Sequence, residues 1–211
     1  MDNFKEDNFH SLCNKLATKD QVFASILSRH GYPPFWSREP GFPTLIQIIL
    51  EQQVSLASAR AAFLKLQALL DSITPAALLA LSDTDLKNCY FSRQKIVYAR
   101  HLSEAIIAGK LDLKALDSEP DQMIRQELRK IKGLGDWTVD VYLMMALHRL
   151  DCFPLGDVAL VKSLKENKNL PHETSKETLE LIANEWKPFR TIAAFLLWHA
   201  YIMKRKKVAG R

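Results

Sequence analysis

The sequence of residues 131–160, IKGLGDWTVDVYLMMALHRLDCFPLGDVAL, decides the fold of this chain. It holds two closely spaced glycines, Gly133 and Gly135, then an apolar helical run, a break near a proline, and Asp157 before a further apolar stretch. Glycine adopts backbone conformations that other residues avoid, so the pair predicts a tight turn between two helices. Asp157 is expected to begin a third helix, because Asp in front of an apolar run is typical of an N-cap.

The predicted turn also has the features of a phosphate site. With no side chains at Gly133 and Gly135, successive backbone N–H groups are exposed at the positive end of the following helix dipole, which suits a phosphate oxygen. Leu134 is expected to point back and hold the two helices together. A plain helical hairpin, whose glycines serve only the turn, is the alternative that these residues leave open.

Composition points to a globular protein that favours polyanions. The chain has 211 residues, of which 47% are hydrophobic and 25% charged, and its formal net charge is +5. This balance excludes a disordered chain and favours a partner such as nucleic acid. A basic protein with no nucleic-acid partner fits the charge equally well.

The three cysteines, Cys13, Cys89 and Cys152, indicate a reducing compartment. They are widely separated and show none of the short paired spacings of zinc or iron–sulfur sites. No stretch approaches the length needed to cross a bilayer, and the first residues lack a basic start followed by an apolar run. We therefore expect no membrane contact and a cytoplasmic protein, at the nucleoid in a bacterium or in the nucleus of a eukaryote.

The spacing of apolar residues predicts an all-α fold. Helical spacing recurs almost throughout, and no segment shows convincing strand alternation. A first helical segment over residues 9–30 is expected to break near Lys19, and a loop with four prolines, GYPPFWSREPGFP, follows it. Residues 109–120 are expected to form a polar connection. A last helix is expected to open at Pro188 and end near Met203, before a flexible basic tail at residues 204–211.

The full pattern around the turn resembles the helix-hairpin-helix family of DNA glycosylases, and within it the bacterial 3-methyladenine DNA glycosylase II group. The hairpin of that family reads hydrophobic-x-G-hydrophobic-G-x-x-T. This chain matches it with Ile131, Gly133, Leu134, Gly135 and Thr138. The segments LIQIILEQQVSLASARAAF and WKPFRTIAAFLLWHAYI extend the likeness over about residues 33–203. The resemblance implies two helical lobes with an active-site cleft between them, one from residues 44–150 and one from residues 1–43 and 151–203.

The resemblance also implies an activity. The expected protein is a monofunctional DNA glycosylase of base excision repair, which flips out an alkylated base of the 3-methyladenine or 7-methylguanine type and hydrolyses its N-glycosidic bond. Asp157 matches the catalytic Asp of the family, although a plain N-cap is the commoner role for such a residue. Two alternatives remain: the same fold acting on an oxidised or deaminated base, and a non-catalytic DNA-binding module.

The family pattern implies roles for further side chains. Gln53 takes the position of the wedge that enters the duplex, with Gln52 beside it. Trp137 matches a pocket Trp, and it stands where relatives that also cleave the DNA backbone carry a Lys, so no AP-lyase step is expected. The remaining candidates for the base pocket are Tyr142, Trp198, Phe35 and Trp36, and for each of them a place in the core is the alternative that the residues leave open.

The expected partner is double-stranded DNA that contains a damaged base, bound by a monomer. Phosphate contacts are expected at the hairpin and at scattered basic side chains. The residues assigned to phosphate binding are Lys132, Gly133, Leu134, Gly135 and Thr138, with Lys130, Arg93, Lys95 and residues 204–207 as further basic candidates. No cofactor and no metal are expected, except a monovalent cation at the hairpin carbonyls. The chain cannot build the four-cysteine cluster of some relatives, and its first forty residues do not suit the β-rich N-terminal lobe of the glycosylase II enzymes.

Overall fold

The computed structural model describes residues 3–209, with side chains described for residues 3–206. Helices form the regular structure of this range, and the β interaction within it is an isolated bridge between Asn3 and Arg149. The all-α prediction is therefore confirmed. No helix in the described range combines the length and the apolar character that a membrane span requires.

The helices are numbered here in chain order. They are α1 (Glu6–Lys19), α2 (Gln21–His30), α3 (Phe42–Glu51), α4 (Leu56–Leu69), α5 (Pro75–Ala80), α6 (Asp83–Asn88), α7 (Arg93–Ile107), α8 (Leu113–Leu116), α9 (Asp121–Arg129), α10 (Asp136–Met145), α11 (Val158–Asn167), α12 (Lys176–Asn184) and α13 (Arg190–Ala209). The break predicted near Lys19 is confirmed, since Asp20 ends α1 and caps α2. The short helix α8 lies in the segment predicted to be a polar connection.

The last helix is longer than the sequence suggested. The prediction that it ends near Met203 is wrong, because α13 continues to Ala209. Lys204 pairs with Glu166 at 3.0 Å, and the Arg205 guanidinium donates to the Tyr201 hydroxyl one turn earlier. Basic side chains near a helix C-terminus also interact favourably with the helix dipole, which explains why α13 continues through Lys204, Arg205 and Lys206.

The chain forms two compact units. The hairpin unit is Arg38–Leu147, and the terminal unit comprises Met1–Ser37 and His148–Arg211. Both boundaries lie a few residues before the predicted ones. The hairpin unit contains as many Asp and Glu as Lys and Arg, so the formal net charge of +5 falls entirely on the terminal unit.

The core of the hairpin unit is built on α3. Its side chains from Leu45 to Leu50 are almost all fully buried, and the helix packs against α4, α7 and α10. Two polar contacts fix its C-terminal end. Arg38 forms a two-pronged ion pair with Glu51, and the Lys95 ammonium donates to the Leu50 carbonyl at 2.6 Å. These contacts therefore hold the C-terminal end of α3, where the following turn begins, in a fixed position.

The terminal unit anchors the segment that leads to Asp157. Thr191, at the start of α13, donates its hydroxyl to the Arg149 carbonyl at 2.6 Å and accepts the Cys152 N–H at 3.1 Å. The neighbouring Arg190 guanidinium grips the Asp151 carboxylate with two hydrogen bonds of 2.6 and 2.9 Å. These contacts fix residues 149–152 on α13, just before the chain reaches the N-terminus of α11.

Candidate active site

The hairpin between α9 and α10 depends on Gly133. This residue has a φ of +95°, and a β carbon placed on it would lie 2.1 Å from Cγ of Tyr98 on α7. Both the backbone conformation and the close approach of the Tyr98 ring exclude any side chain. Leu134 is 2% exposed and points into the unit, as the sequence suggested. Gly133 is therefore required by the fold itself.

Gly135 has a different role. Its φ is −82°, and a β carbon there would meet no atom within 4 Å, so the expectation that both glycines relieve backbone strain holds only for Gly133. Gly135 is the N-cap of α10 and supplies no side-chain cap. A helix N-terminus without a side-chain cap leaves N–H groups that suit a phosphate oxygen. The open space at Gly135 allows a ligand to approach the backbone closely.

Gln52 joins the hairpin to the turn after α3. Its amide nitrogen donates to the Gly133 carbonyl at 2.8 Å and to the Thr138 hydroxyl oxygen at 2.9 Å. The Gln52 amide thus holds the hairpin, an arrangement that does not favour the predicted role of Gln52 in the DNA wedge, and that role stays a prediction.

Gln53 occupies the exposed tip of the turn formed by residues 52–55, which we call the wedge turn after the role predicted for it. Its φ is +57°, a left-handed conformation that few residues other than glycine and asparagine adopt readily. Val54 and Leu56 are 46% and 67% exposed, and Ser55 caps α4 by accepting the Ser58 N–H. The turn thus projects polar and apolar side chains to solvent from a fixed backbone.

Asp157 is held by two donors. It is the N-cap of α11, where its Oδ1 accepts the Leu160 N–H at 2.7 Å and the indole N–H of Trp198 at 3.0 Å. The side chain is only partly buried, so one carboxylate is fixed in direction at an accessible helix N-terminus. This arrangement presents a negative charge of defined position to a ligand.

Trp36 and Trp198 lie together beside Asp157 in the terminal unit. Their ring centroids are 6.5 Å apart at a steep angle, and both rings contact Phe195. Trp198 is 9% exposed, which makes it a support for the carboxylate more than a stacking surface. Trp36 is half-buried and retains accessible ring surface. The structure therefore groups two of the five predicted pocket aromatics with Asp157.

Tyr142 and Phe35, two of the predicted pocket aromatics, make contacts within the units that hold them. Tyr142 is completely buried, donates its hydroxyl proton to Asp117 and accepts the Gly41 N–H at 3.0 Å. Burial, together with the Asp117 charge, raises the pKa of the Tyr142 phenol far above its usual value. Phe35 is half-buried and packs edge-on against Phe4 and Phe9. The burial of Tyr142 does not favour a place in the pocket, whereas Phe35 and Trp137, on the first turn of α10, are half-buried. The pocket assignments stay predictions.

The basic side chains predicted to contact phosphate fall into two groups, those with a partner in the structure and those without a recorded one. Lys95 is committed to the Leu50 carbonyl, so its predicted phosphate contact is not supported. Lys130 pairs with Glu127 at 2.7 Å. Lys132 and Arg93 are exposed and remain available to a phosphate backbone.

Comparison with known proteins places this geometry in a family. Residues 46–188, more than half of the chain, match the family described as HhH-GPD superfamily base excision DNA repair protein. The chain belongs to the HhH-GPD superfamily. The matched region contains the wedge turn, the hairpin and Asp157, which are the features singled out by the sequence pattern.

Two relatives of this HhH-GPD protein differ in the identity and in the length of chain that they share with it. The putative DNA-3-methyladenine glycosylase YfjP of Bacillus subtilis is 33% identical over 60% of this chain and 44% of its own length. The alkylbase DNA glycosidase-like protein mag2 of Schizosaccharomyces pombe is 31% identical over 63% of each chain. The chain thus spans less than two thirds of these curated relatives.

Among solved structures, one of the similar folds is the 3-methyladenine DNA glycosylase Mag1 of Schizosaccharomyces pombe in complex with abasic DNA. It superposes with a TM-score of 0.81 at 25% identity, covering 89% of this chain and 95% of that one. The likeness therefore includes both units of the chain, and not only the hairpin.

Sequence reasoning missed several supporting residues of this HhH-GPD protein. Tyr98, which packs against Gly133, belongs to a helix with no motif of its own. Arg190 and Thr191 anchor the segment that precedes Asp157. They bond to Asp151 and Arg149, which lie 39 and 42 residues earlier in the chain. Only the clustering of Arg and Thr at the start of a helix offered a signal, and it is too common to identify an anchor.

Proposed function

We propose that this protein is a DNA glycosylase that removes alkylated bases from duplex DNA. The observation that carries the proposal is Asp157, a partly accessible carboxylate fixed by the Leu160 N–H and the Trp198 indole at a helix N-terminus. Family membership supports base excision repair, and the names of its relatives support an alkylated substrate.

The proposed reaction begins with extrusion of the damaged nucleotide. A base inside a duplex cannot reach a carboxylate, so the enzyme spends a few kcal/mol to unstack it. The uncapped N-terminus of α10 at Gly135 holds a phosphate of the distorted strand. Gln53, at the exposed tip of the wedge turn, fills the space that the base leaves.

The chemical step breaks the bond between C1′ and the base nitrogen. The bonding electrons leave with the base, and positive charge of the oxocarbenium type develops on the sugar, as in glycoside hydrolysis. The Asp157 carboxylate stabilises this charge and orients the water that attacks C1′. The water supplies the hydroxyl group of the abasic sugar, and its proton passes to Asp157 and then to solvent.

Selection of an alkylated purine follows from its charge. A base such as 3-methyladenine in DNA is cationic before the bond breaks, so it leaves as a neutral molecule and needs little help from a general acid. Aromatic faces attract such a cation by about 0.5 to 2 kcal/mol each. Trp36 and Trp137 are the half-buried indoles that we assign to this task.

We further propose that the reaction stops at the abasic site. A lyase step needs an amine to form a Schiff base with the sugar, and the residue directly before Thr138 is Trp137. An indole nitrogen is not a nucleophile for this purpose. The product is therefore an intact strand with an abasic sugar.

The test is incubation of the full chain with methylated duplex DNA, followed by mass spectrometry of the released bases. The wild type is expected to release 3-methyladenine or 7-methylguanine. Asp157→Asn retains the N-cap, because Asn caps helices as well as Asp does, and is expected to lose base release while still binding abasic duplex. Borohydride should trap no covalent adduct.

Each alternative has its own outcome. Release of only oxidised or deaminated bases would assign the site to a different lesion. Unchanged DNA binding with no release of any modified base by folded protein would indicate a non-catalytic DNA-binding module and overturn the proposal.

A further inference from the structure

Helix α4 leaves much of its surface exposed within the hairpin unit. It packs chiefly against α3, and three of its 14 residues, Ala59, Ala62 and Leu66, are buried. Leu56 and Leu64 are 67% and 52% exposed. None of these side chains has a role in the reaction described above, so the exposed side of α4 is open to another use.

The exposed apolar residues of α4 form a stripe along the helix. Ala57, Ala61, Leu64 and Ala68 are all exposed and recur at intervals of four, three and four residues. Residues at this spacing share one side of an α-helix, which here lies opposite the buried side. The intervals are those of a coiled coil, with Ala57 and Leu64 at d positions and Ala61 and Ala68 at a positions. The stripe extends for about 16 Å, or three helical turns.

The two charged residues of α4 flank this stripe, and both are cations. In the same register Arg60 takes a g position and Lys65 an e position, which border the seam of a coiled coil on its two sides. None of the ion pairs in the described range includes Arg60. Lys65 donates to the Asn88 carbonyl at 3.1 Å and lies over the Tyr90 ring, and neither contact neutralises its charge. The outer face of α4, defined here as the stripe together with Arg60 and Lys65, is therefore apolar with positive borders.

A recess of about 280 Å³ opens at the C-terminal end of the stripe. Its lining includes Ala68 and Leu69 of α4 and Cys89, the C-cap of α6. Asp85 also borders the recess, but its carboxylate accepts hydrogen bonds from the backbone N–H and the hydroxyl of Ser82 at the start of α6. The recess can therefore receive an apolar side chain from a helix that lies along the stripe.

These features favour a protein helix over DNA or a second copy of this chain. Alanine at three of the four stripe positions lets the backbone of a partner helix approach closely, and Leu64 gives it a larger side chain to pack against. A phosphate backbone binds through several cations and gains nothing from apolar side chains. Two copies of α4 would bring cations together whether they ran parallel or antiparallel, because this helix contains no acid.

We propose that the outer face of α4 binds an acidic amphipathic helix of a partner protein, with apolar side chains along the stripe and carboxylates beside Arg60 and Lys65. The partner is defined by its chemistry, which is apolar residues at a and d positions and Glu at e and g positions. The inference goes beyond the proposed function, because it uses no residue assigned to base release.

The test uses fluorescence anisotropy with the full chain and two synthetic helical peptides, each three heptads long. Both peptides carry Leu at a and d positions; one carries Glu at e and g positions, and the other carries Lys there. Glu at these positions also opposes pairing of the acidic peptide with itself. The wild type is expected to bind the acidic peptide about fivefold to tenfold more tightly than the basic one, because two attractive charge pairs replace two repulsive ones.

Two variants separate the charge of the face from its apolar stripe. Arg60→Glu should weaken binding of the acidic peptide and strengthen binding of the basic one, so that the preference falls below about twofold. Leu64→Ser removes the largest side chain of the stripe and should weaken binding of both peptides about fivefold to tenfold.

Each variant has a matched control at an exposed position. Lys110→Glu makes the same change of charge elsewhere in the hairpin unit, and Leu181→Ser makes the same apolar change on α12. Both controls should bind the two peptides as the wild type does. Thermal melting of each variant identifies any that fails to fold.

A preference that is lost in Arg60→Glu, with binding weakened in Leu64→Ser and unchanged in both controls, supports the inference. Equal wild-type affinity for the two peptides, or no binding of either, overturns it. A loss of affinity for duplex DNA in Arg60→Glu, with peptide binding unchanged, would assign the face to DNA instead. Wild-type dimers in analytical ultracentrifugation that Leu64→Ser abolishes would assign it to a second copy. The peptide measurements contain no DNA, so they stay valid even if the protein releases no base.

Discussion

The indole N–H of Trp198 donates to Oδ1 of Asp157 at 3.0 Å, and a second pair in the same unit repeats this arrangement. There the indole N–H of Trp186 donates to Asp20 at 2.9 Å. Both carboxylates are N-caps, Asp157 of α11 and Asp20 of α2. A hydrogen bond from an indole to an N-cap carboxylate therefore occurs twice in this unit, once at the candidate site and once at a position distant from it in sequence.

This repetition provides a matched comparison for the first prediction. Trp198→Phe removes the donor to Asp157 and retains an aromatic ring, so kcat for base release is expected to fall roughly tenfold. The affinity for abasic duplex should stay within twofold of wild type, because the ring does not hold DNA phosphate. Trp186→Phe removes the equivalent donor from Asp20 and should lower stability without selectively lowering kcat. An equal loss of kcat in both variants would show that the Trp198 bond is merely structural.

The second prediction concerns stability at acid pH. Burial opposes ionisation of Asp20, but hydrogen bonds from Lys168, the Val22 N–H and Trp186 outweigh it, and the pKa of the carboxyl is lowered from 3.8. A lowered folded-state pKa contributes stability that is present above 3.8 and is lost as the pH falls through the folded value. Asp20→Asn should therefore be less stable than wild type at neutral pH and approach it in acid. Urea unfolding across this range measures the effect.

A control for that experiment is Asp7→Asn, which changes an exposed acid on α1 of the same unit. It should follow the wild-type dependence on pH. If Asp20→Asn kept a constant difference from wild type between neutral and acid pH, the ionised form of Asp20 would not be the source of its stability.

The third prediction separates the two glycines of the hairpin. Gly133→Ala places a β carbon against the Tyr98 ring at a positive φ, and should cost about 2 to 4 kcal/mol in free energy of unfolding. Gly135→Ala meets no atom, but Ala is a poorer N-cap than Gly, so it should cost only about 0.5 to 1 kcal/mol. It should still weaken DNA binding, because its methyl group enters the space at the N-terminus of α10. Chemical denaturation measures the stability of each variant, and fluorescence anisotropy measures its affinity for DNA. Wild-type DNA affinity in Gly135→Ala would contradict a phosphate site at the N-terminus of α10.

The fourth prediction separates the two glutamines. Gln52→Met leaves the Gly133 carbonyl and the Thr138 hydroxyl without their donor, and should cost about 1 to 3 kcal/mol of stability. Gln53→Ala removes an exposed side chain and should leave stability within about 0.5 kcal/mol of wild type. It should reduce base release from duplex DNA and leave release from single-stranded DNA unchanged. Equal loss on both substrates would contradict a wedge role for Gln53.

The sequence predicted those parts of the site that depend on short-range pattern. Gly133 and Asp157 were recognised because a turn and an N-cap are decided within a few residues of chain. The roles of Gln52 and Tyr142 were not, because their partners are distant: Gln52 bonds to residues 81 and 86 positions away, and Tyr142 to Gly41, 101 positions away. Adjacent glutamines look equivalent in sequence until the fold commits one of them to the hairpin.

The same limit applies to the aromatic side chains. Tyr142 and Trp198 both lie in apolar helical runs, and periodicity alone does not distinguish a core ring from one that donates to the Asp157 carboxylate. The position of Trp198 depends on the packing of α13 against α11, a long-range contact. The helices themselves were predictable because apolar spacing and local caps determine them.

The partition of charge between the two units has a kinetic consequence. A unit without net charge exerts little long-range attraction on DNA, whereas a unit with all the excess positive charge attracts the polyanion over distances up to the Debye length, about 8 Å at physiological salt. The terminal unit should therefore govern how often the protein encounters and slides along undamaged duplex. In the proposed function the hairpin unit holds DNA partly through a helix dipole and backbone N–H groups, and salt screens these only weakly at contact. Raising the salt concentration should therefore lower the rate at which the protein finds a lesion before it lowers the affinity for a lesion that is already bound.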